Sequence, residues 1–241
     1  MKRRAIVRGG LGAVGGFAGL AVASKLAAKH GLVPPDGCCG VYGPGHTLTY
    51  AVQRLLTRNS LAREFRPDQV SARPFANPTD FSSDDFERMR RSGFGDWSLT
   101  IDGLVDRPAS FSLAELRTWP SRSQITLLAC EEGWSYVAQW TGVPLSALLD
   151  RVGVRPEARF VNYSSMQPGW FDAIDMADAR HPQTVLAYGF NGADLPPEFG
   201  GPLRMRVPRQ LGYKSVKFVN RLTLAASPTL VPSDYSWYAG I

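Results

Sequence analysis

The sequence predicts an α+β domain built from mixed β-sheets and short helices. From Trp97 onward, short apolar or alternating segments typical of strands are separated by turn residues. Only short helical patterns lie among them, which favours mixed sheets over a doubly wound fold. The 24 glycines and 18 prolines also fit many loops rather than a helical bundle. A chain of 241 residues is long enough for a sizeable core in one or two domains.

The first part of the chain, residues 1–23, has the pattern of an export signal. A charged start precedes a weakly apolar, glycine-rich segment that ends in Ala21-Val22-Ala23, a small-residue cleavage pattern. The Arg3-Arg4 pair is typical of a twin-arginine signal. An uncleaved membrane anchor and a basic tail are the alternatives. We expect export by the twin-arginine route, which places the protein in the periplasm or otherwise outside the cytoplasm.

The charge of the chain is concentrated at this start. Lys2, Arg3, Arg4 and Arg8 belong to the 27 basic residues, so the remaining 23 nearly balance the 21 acidic residues. No basic stripe interleaved with aromatic residues follows. This distribution argues against nucleic-acid binding.

Residues 24–96 are predicted to form a linker, a helix and an extension that packs on the core. The linker contains Cys38 and Cys39, and adjacent cysteines do not bridge each other without strain. A helix is predicted at 46–58, with Thr47 as its cap. The region after it is rich in proline, asparagine and aspartate, and its phenylalanines indicate packing against the domain.

Residues 97–241 are predicted to form the main domain. Ser112 and Glu115 form a capping box that opens a helix ending near Thr118. Pro144 begins another helix, and Asn191-Gly192 predicts a hairpin turn. Strands are predicted at 98–105, 123–129, 159–163, 170–174, 184–190, 203–207 and 216–224.

Cys130 is the single residue that is the strongest candidate for a catalytic or metal-binding role. It follows the apolar run 125–129, so a buried strand would present it at a sheet edge. Such a thiol is a soft metal ligand, a nucleophile or a small core residue. A nucleophilic cysteine needs a base, for which His181 is the candidate. Phosphate-loop, dinucleotide-binding and serine-elbow motifs are absent, and no histidine has zinc-ligand spacing with a cysteine.

A second candidate is the glycine-rich basic stretch 200–217. Arg204, Lys214 and Lys217 supply cations suited to an anionic ligand, and backbone amides near Ser215 add donors. The alternative is a turn with exposed basic residues.

Together, in this order, these motifs resemble the sulfite oxidase-like molybdopterin-binding oxidoreductase family. The nearest branch is the exported one of the periplasmic methionine-sulfoxide reductases. The resemblance covers about 97–224 and more loosely 59–65. The motifs that carry it are Ala-Cys-Glu-Glu-Gly-Trp at 129–134, Trp-Thr-Gly-Val-Pro-Leu at 140–145, Leu-Ala-Tyr-Gly-Phe-Asn-Gly at 186–192, Gly-Pro-Leu-Arg at 201–204 and Gly-Tyr-Lys-Ser-Val-Lys at 212–217.

The resemblance implies a sulfite-oxidase-type catalytic domain with a molybdenum-molybdopterin cofactor. Cys130 would be the catalytic metal ligand, and a metal-bound thiol needs no base to deprotonate it. One departure is Phe199, which stands where relatives place a histidine or asparagine against the pterin. The residues implied to bind the cofactor are Asn59, Arg63, Glu64, Cys130, Ser164, Ser165, Arg204, Ser215, Val216 and Lys217.

The implied function is oxygen-atom transfer: reduction of a sulfoxide or N-oxide, or oxidation of a sulfite-type substrate. The substrate is a small molecule or a protein sulfoxide, and the residues expected around the metal are Trp134, Tyr163, Trp170 and Phe171. Electrons would pass through a separate partner, such as a membrane haem protein. Two alternatives stay open: a non-catalytic binding module on the same fold, and a hydrolase with Cys130 as nucleophile.

Overall fold

The computed structural model describes residues 25–27, 43–78 and 83–229. The predicted signal segment 1–23 and the pair Cys38-Cys39 lie outside these residues. The chain divides after Arg58 into two compact units. Within the described ranges, no helix combines the length and apolar character that a membrane crossing requires.

The described helix of the first unit spans Gly43–Thr57. It begins before the predicted start at His46, so Thr47 lies inside the helix and the prediction that Thr47 caps it is wrong. Arg54 lies over the ring of Tyr50, with 5.2 Å between the guanidinium carbon and the ring centroid. This contact joins two residues one turn apart on the helix.

The second unit contains two five-stranded sheets. The first sheet has the order β2-β1-β10-β5-β6. Because β1 and β10 pair in parallel while the other neighbours are antiparallel, this sheet is mixed, as predicted. Its strands are β1 (Ser98–Gly103), β2 (Ala109–Ser112), β5 (Phe160–Ser165), β6 (Phe171–Asp175) and β10 (Val219–Ala225).

The second sheet carries the segments that matter for the site. It has the order β3-β4-β7-β8, and the further strand β9 pairs with β7. The predicted turn at Asn191-Gly192 joins β7 to β8, with positive φ angles of 50° and 83° that suit a two-residue hairpin. Its strands are β3 (Arg122–Ala129), β4 (Ser135–Pro144), β7 (Val185–Phe190), β8 (Ala193–Asp194) and β9 (Arg204–Arg206).

Short helices connect the strands. The helix Leu113–Thr118 opens with the predicted capping box, in which the Ser112 amide donates to Glu115 at 2.7 Å and the Glu115 amide donates to Ser112 Oγ at 3.2 Å. The helix Leu145–Val152 follows Pro144 and buries four apolar residues on one face. A single-turn helix spans Met176–Ala179.

Several elements are absent from the sequence-based prediction. The helix Asp84–Arg91 lies in the region rich in proline, asparagine and aspartate, for which no helix is predicted; Ser83 caps it, acids fill its first turn and arginines its last. The strands β2 and β4 and the helix Met176–Ala179 are likewise not predicted, although Tyr136, Ala138 and Trp140 of β4 alternate with less buried residues.

Two apolar clusters form the core of the second unit. The larger cluster includes β1, β5, β10 and the helix Leu145–Val152. The smaller cluster contains Tyr136, Ala138 and Trp140 from β4, with Val185, Ala187 and Phe190 from β7. A register shift between Thr141 and Gly142 separates the part of β4 in the smaller cluster from Val143, which lies in the larger one.

Candidate functional site

Cys130 lies in the short connection between β3 and β4. The last pair of the β3–β4 ladder is Ala129 with Ser135, so residues 130–134 form the hairpin loop. The loop is closed by two backbone hydrogen bonds, from the Cys130 amide to the Trp134 carbonyl at 2.9 Å and from the Gly133 amide to the Cys130 carbonyl at 3.2 Å. The strand therefore presents the thiol at the sheet edge, as predicted.

The basic stretch lies directly against this loop. A Cβ atom placed on Gly212 would lie 3.3 Å from both the Cys130 Cα atom and the Ala129 carbonyl oxygen. A larger residue at this position would push the two segments apart. Gly212 therefore allows the second motif of the sequence to approach the first.

Both segments line one cavity of about 410 Å³. Six of the predicted site residues contribute to its wall: Cys130, Ser165, Arg204, Ser215, Val216 and Lys217. Of the aromatic residues expected around the metal, Trp134, Trp170 and Phe171 also line it. The fold thus brings together residues that are widely separated in the chain, and the volume is in the range of small-molecule and cofactor sites.

Four predicted cofactor-binding residues do not line this cavity: Asn59, Arg63, Glu64 and Ser164. Glu64 pairs with Arg122 at 2.5 Å, and the Arg63 guanidinium lies 4.7 Å from the centroid of the Phe65 ring. For these residues the role implied by the resemblance stays a prediction.

Tyr163 is also absent from the cavity wall. It is buried in β5, and its hydroxyl donates to the Lys214 carbonyl at 2.9 Å. The prediction that Tyr163 lies in the substrate wall is therefore wrong. Tyr163 and Ser165 lie on the same face of β5, but Tyr163 packs in the larger core cluster, and only Ser165, the last residue of the strand, reaches the cavity.

Sequence reasoning did not include the segment 75–78, which forms part of the wall. The Phe75 ring lies 5.0 Å from the Trp134 ring, between centroids. The phenylalanines of this region predicted packing against the domain, but the pattern could not show which surface they would cover.

The thiol of Cys130 has acidic neighbours. Its Sγ donates to Glu131 Oε2 at 3.3 Å and lies 3.7 Å from Glu132 Oε2, while the Trp134 indole donates to Glu132 at 2.7 Å. Burial, with the added effect of the two carboxylates, raises the pKa of Cys130 to about 12. Without a bound cation the thiol is therefore protonated at neutral pH and is a poor nucleophile.

His181 does not act as a base for this thiol. It is buried away from the cavity wall, where its Nδ1 accepts a hydrogen bond from the Gln183 amide at 3.2 Å. Burial, together with Arg209, lowers its pKa. The geometry gives no support to a cysteine–histidine hydrolase.

Arg204 provides the buried cation of the cavity wall. Its Nε donates to the Ser215 carbonyl at 2.8 Å, and one terminal nitrogen donates to the Phe199 carbonyl at 2.9 Å. The Phe199 ring stacks on Phe190, with 4.3 Å between centroids. Phe199 stands where the family resemblance implies a polar side chain against the pterin. In this chain its backbone carbonyl accepts from Arg204, and its ring packs in the smaller core cluster.

Lys217 provides the second cation of the wall. Its Nζ donates to the carbonyls of Asn77 and Glu198 at 2.9 and 2.8 Å. Burial, with a contribution from Arg204 that Glu198 opposes, lowers the pKa of Lys217 to about 8. Lys217 is therefore charged at neutral pH but loses its charge under mildly alkaline conditions.

The residues present fit a molybdenum-pterin group with an anionic end. In the described part of the chain, Arg204 has no carboxylate within salt-bridge distance, so a buried cation faces the cavity without a counter-ion. No group of three or more histidine, cysteine or acidic side chains that could hold an ion occurs in the same part. A metal beside Cys130 would have one protein sulfur ligand and would take its remaining ligands from the group itself.

A single thiol, which is a soft sulfur donor, shares this cavity wall with buried cations, and this set of groups suits a metal cofactor that carries an anionic group. The comparison with protein families agrees. Residues 86–232 match the model of the oxidoreductase molybdopterin-binding domain, and the chain belongs to this family. The predicted enzyme class, a molybdenum-dependent oxidoreductase, and the predicted molybdenum-molybdopterin cofactor are thereby confirmed.

Two curated relatives are both named as subunits of methionine-sulfoxide reductases. The chain is 33% identical over 189 residues to the putative protein-methionine-sulfoxide reductase subunit YedZ1 of Azospira oryzae, covering 77% of this chain and 70% of that protein. It is 34% identical over 166 residues to the protein-methionine-sulfoxide reductase catalytic subunit MsrP of Xanthomonas campestris, covering 60% of this chain. The chain spans 52% of that relative's length.

A solved structure supports the predicted sulfite-oxidase-type fold. The sulfane dehydrogenase SoxCD from Paracoccus pantotrophus superimposes with a TM-score of 0.55 at 27% identity. The match covers 58% of this chain and 40% of the SoxCD chain.

The charge of Lys217 predicts a pH dependence of anion binding. In the cofactor-free protein, we expect sulfate to bind several-fold more weakly at pH 8.5 than at pH 7, because Lys217 loses its proton above about pH 8 while Arg206 keeps most of its charge up to about pH 9. Sulfate keeps its charge across this range, and isothermal titration calorimetry measures the affinity. The variant Lys217→Arg stays protonated and should lose much less affinity at pH 8.5. An equal loss in both proteins would assign the effect to another group.

Proposed function

We propose that this protein is an exported molybdenum-pterin enzyme that reduces a sulfoxide by oxygen-atom transfer at a Cys130-ligated molybdenum. The observation that carries the proposal is the shared cavity. It joins the only described free thiol to the cations Arg204 and Lys217 and to Ser215 and Val216. The family follows from the comparison with protein families. The metal ligand Cys130, the reduction of a sulfoxide and the export of the protein are the proposed additions.

Cys130 is the proposed metal ligand because the described side chains in hydrogen-bond contact with its thiol are both carboxylates. Burial and these two carboxylates disfavour the thiolate in the metal-free protein. A metal ion would place a positive charge directly on the sulfur, and it deprotonates the coordinating thiol. The same site would therefore hold a protonated thiol when it is empty and a thiolate when a metal is bound.

The remaining wall residues would hold the pterin and its phosphate. Arg204 and Lys217 donate charge-assisted hydrogen bonds to the anionic end, and the backbone at Ser215-Val216 approaches it. When bound, the cofactor supplies two-electron oxygen-atom transfer chemistry at molybdenum. The protein would orient the group, exclude water from the buried cations and hold Cys130 in the wall of the same cavity.

The cavity suits a neutral sulfoxide substrate. Phe75, Trp134 and Phe171 line it, and Trp170 is 57% exposed beside the turn that precedes β6. Aromatic rings make favourable contacts with sulfur. Glu131 and Glu132 flank the thiol and repel an anion such as sulfite. The names of the relatives, which are methionine-sulfoxide reductase subunits, point to the same substrate class.

The reaction needs an external source of electrons. Reduction of a sulfoxide consumes two electrons and two protons and releases a thioether and water. We infer that a separate electron-transfer protein, such as a membrane haem protein, supplies the electrons. The names of both relatives describe them as subunits, which supports a partner of this kind. The Arg3-Arg4 pattern supports export to the compartment where such a partner would be met.

Substitution of Cys130 tests the proposed metal ligand. Cys130→Ser should lower sulfoxide reductase activity at least about a hundredfold, because changes even outside the first ligand shell of a metal cost about 10–100-fold. Ser135→Ala, an exposed position paired with Ala129 on the same hairpin, is the matched control and should keep full activity. Activity is measured with a reduced dye and a methyl sulfoxide, and molybdenum by mass spectrometry. Wild-type protein without molybdenum after expression in a cofactor-competent host would sink the proposal.

The second prediction concerns substrate charge. Glu131→Gln removes one negative charge beside the thiol, so the inhibition constant of sulfite against sulfoxide reduction should fall roughly threefold to tenfold while the KM for a neutral sulfoxide changes little. Glu157→Gln, an exposed acid outside the cavity wall, should alter neither value. Steady-state kinetics of sulfoxide reduction at several sulfite concentrations makes the comparison. A parallel change in both constants would show that Glu131 does not select by charge.

The third prediction concerns export. Replacing both arginines of the pair, Arg3→Lys with Arg4→Lys, should retain the protein in the cytoplasm, because the twin-arginine route depends on that pair. Cell fractionation followed by immunoblotting locates the protein, and the unchanged chain serves as the exported reference. Unaltered export of the double variant would contradict the proposed route.

A further inference from the structure

Arg206 is a fully buried arginine that does not line the cavity. It lies on β9 two residues after Arg204, so both side chains leave the same face of the strand. One terminal nitrogen donates to Ser215 Oγ at 3.3 Å. The other donates to Thr126 Oγ1 at 3.2 Å and to the Leu127 carbonyl.

The charge of Arg206 is not offset within the described residues. No carboxylate there forms a salt bridge with it, and its Nε has no hydrogen-bond partner. Another cation, Arg204, acts on it electrostatically. The guanidinium carbons of Arg206 and Arg204 lie 5.4 and 5.5 Å, respectively, from the centroid of the Trp140 ring. Burial, with a contribution from Arg204, lowers the pKa of Arg206 to about 9, so it remains protonated at neutral pH.

A buried, unpaired cation costs stability, and an apolar residue of similar size would avoid that cost. Methionine fills a similar volume and is tolerated in cores. Packing alone therefore does not explain a cation at this position, whereas its hydrogen bonds to polar groups require a donor there.

The bond to Ser215 fixes the direction of a hydroxyl group. A guanidinium only donates, so Arg206 makes Ser215 Oγ an acceptor. The Val207 amide also donates to this oxygen, at 3.5 Å. With both lone pairs used, the Ser215 O–H remains as a donor. It has no acceptor among the described residues, and Ser215 lines the cavity between Arg204 and Lys217.

We propose that Arg206 is a positioning residue that orients the Ser215 hydroxyl as a donor to the anionic group of the cofactor. The inference rests on the cofactor of the proposed function and adds a residue that touches neither cofactor nor substrate. Arg204 holds the carbonyl of Ser215 at 2.8 Å and Arg206 holds its hydroxyl oxygen. The two arginines therefore fix both polar groups of this residue before the ligand arrives.

Phosphate binding to the full-length, cofactor-free protein tests the proposal. Arg206→Met should weaken binding of inorganic phosphate about tenfold, which corresponds to about 1.4 kcal/mol, without lowering the melting temperature of the ligand-free protein. Ser215→Ala should weaken binding to a similar degree. In the Ser215→Ala background, adding Arg206→Met should cost less than about threefold, since the hydroxyl that Arg206 orients is gone.

Met205→Leu is the matched control. Met205 is fully buried between the two arginines in sequence and belongs to the larger core cluster, so its replacement tests a core change on the same strand. It should leave the phosphate affinity unchanged. Molybdenum retained per chain, measured after expression in a cofactor-competent host, should fall in Arg206→Met and not in Met205→Leu.

Three outcomes would overturn the inference: a destabilised Arg206→Met protein with unchanged phosphate affinity, an equal loss in the serine and alanine backgrounds, or unchanged affinity of Ser215→Ala. The last measurement does not depend on how well an Arg206 variant folds. None of them involves Cys130 or sulfoxide turnover. The inference can therefore fail while the proposed function stands, and wild-type protein without molybdenum would contradict the proposed function alone.

Discussion

The constraint on which the site depends is the burial of two arginines beside one tryptophan. Arg204 and Arg206 leave the same face of β9 and both contact the Trp140 ring on β4. A protein interior disfavours such charges unless hydrogen bonds and a counter-charge compensate them. Carbonyls, hydroxyls and the indole face provide part of this compensation. The described residues provide no carboxylate, which leaves an anionic ligand as the natural complement.

The cavity wall carries two chemically different sets of groups. The thiol of Cys130, two carboxylates and aromatic rings suit a metal and a neutral sulfur compound. Arg204, Lys217 and a serine held at both of its polar groups suit a phosphate. A cofactor that carries both a metal and a phosphate satisfies both sets.

The local elements were largely predictable because their signals lie within a few residues. The capping box at Ser112 and the Asn191-Gly192 turn are short-range features, and both occur as predicted. The errors have equally local causes. The acids and arginines around Phe86 favour a helix, but the prolines and asparagines that surround them favour a loop. The residues of β4 overlap a family motif at 140–145, which hides the alternation of a strand.

The sequence by itself determined the fold class, the family and the choice of Cys130 and the basic stretch as candidate site segments, because these depend on motifs and short spacings. Only the tertiary structure decided which residues meet. It placed Ser165 in the cavity wall and Tyr163 in the core. The two residues share one face of β5, but only Ser165 stands at the end of the strand, where the cavity begins. It also revealed Arg206, whose role depends on atoms from β3, β4 and the segment after β9. Contacts between residues distant in the chain are fixed by packing, and no local pattern encodes them.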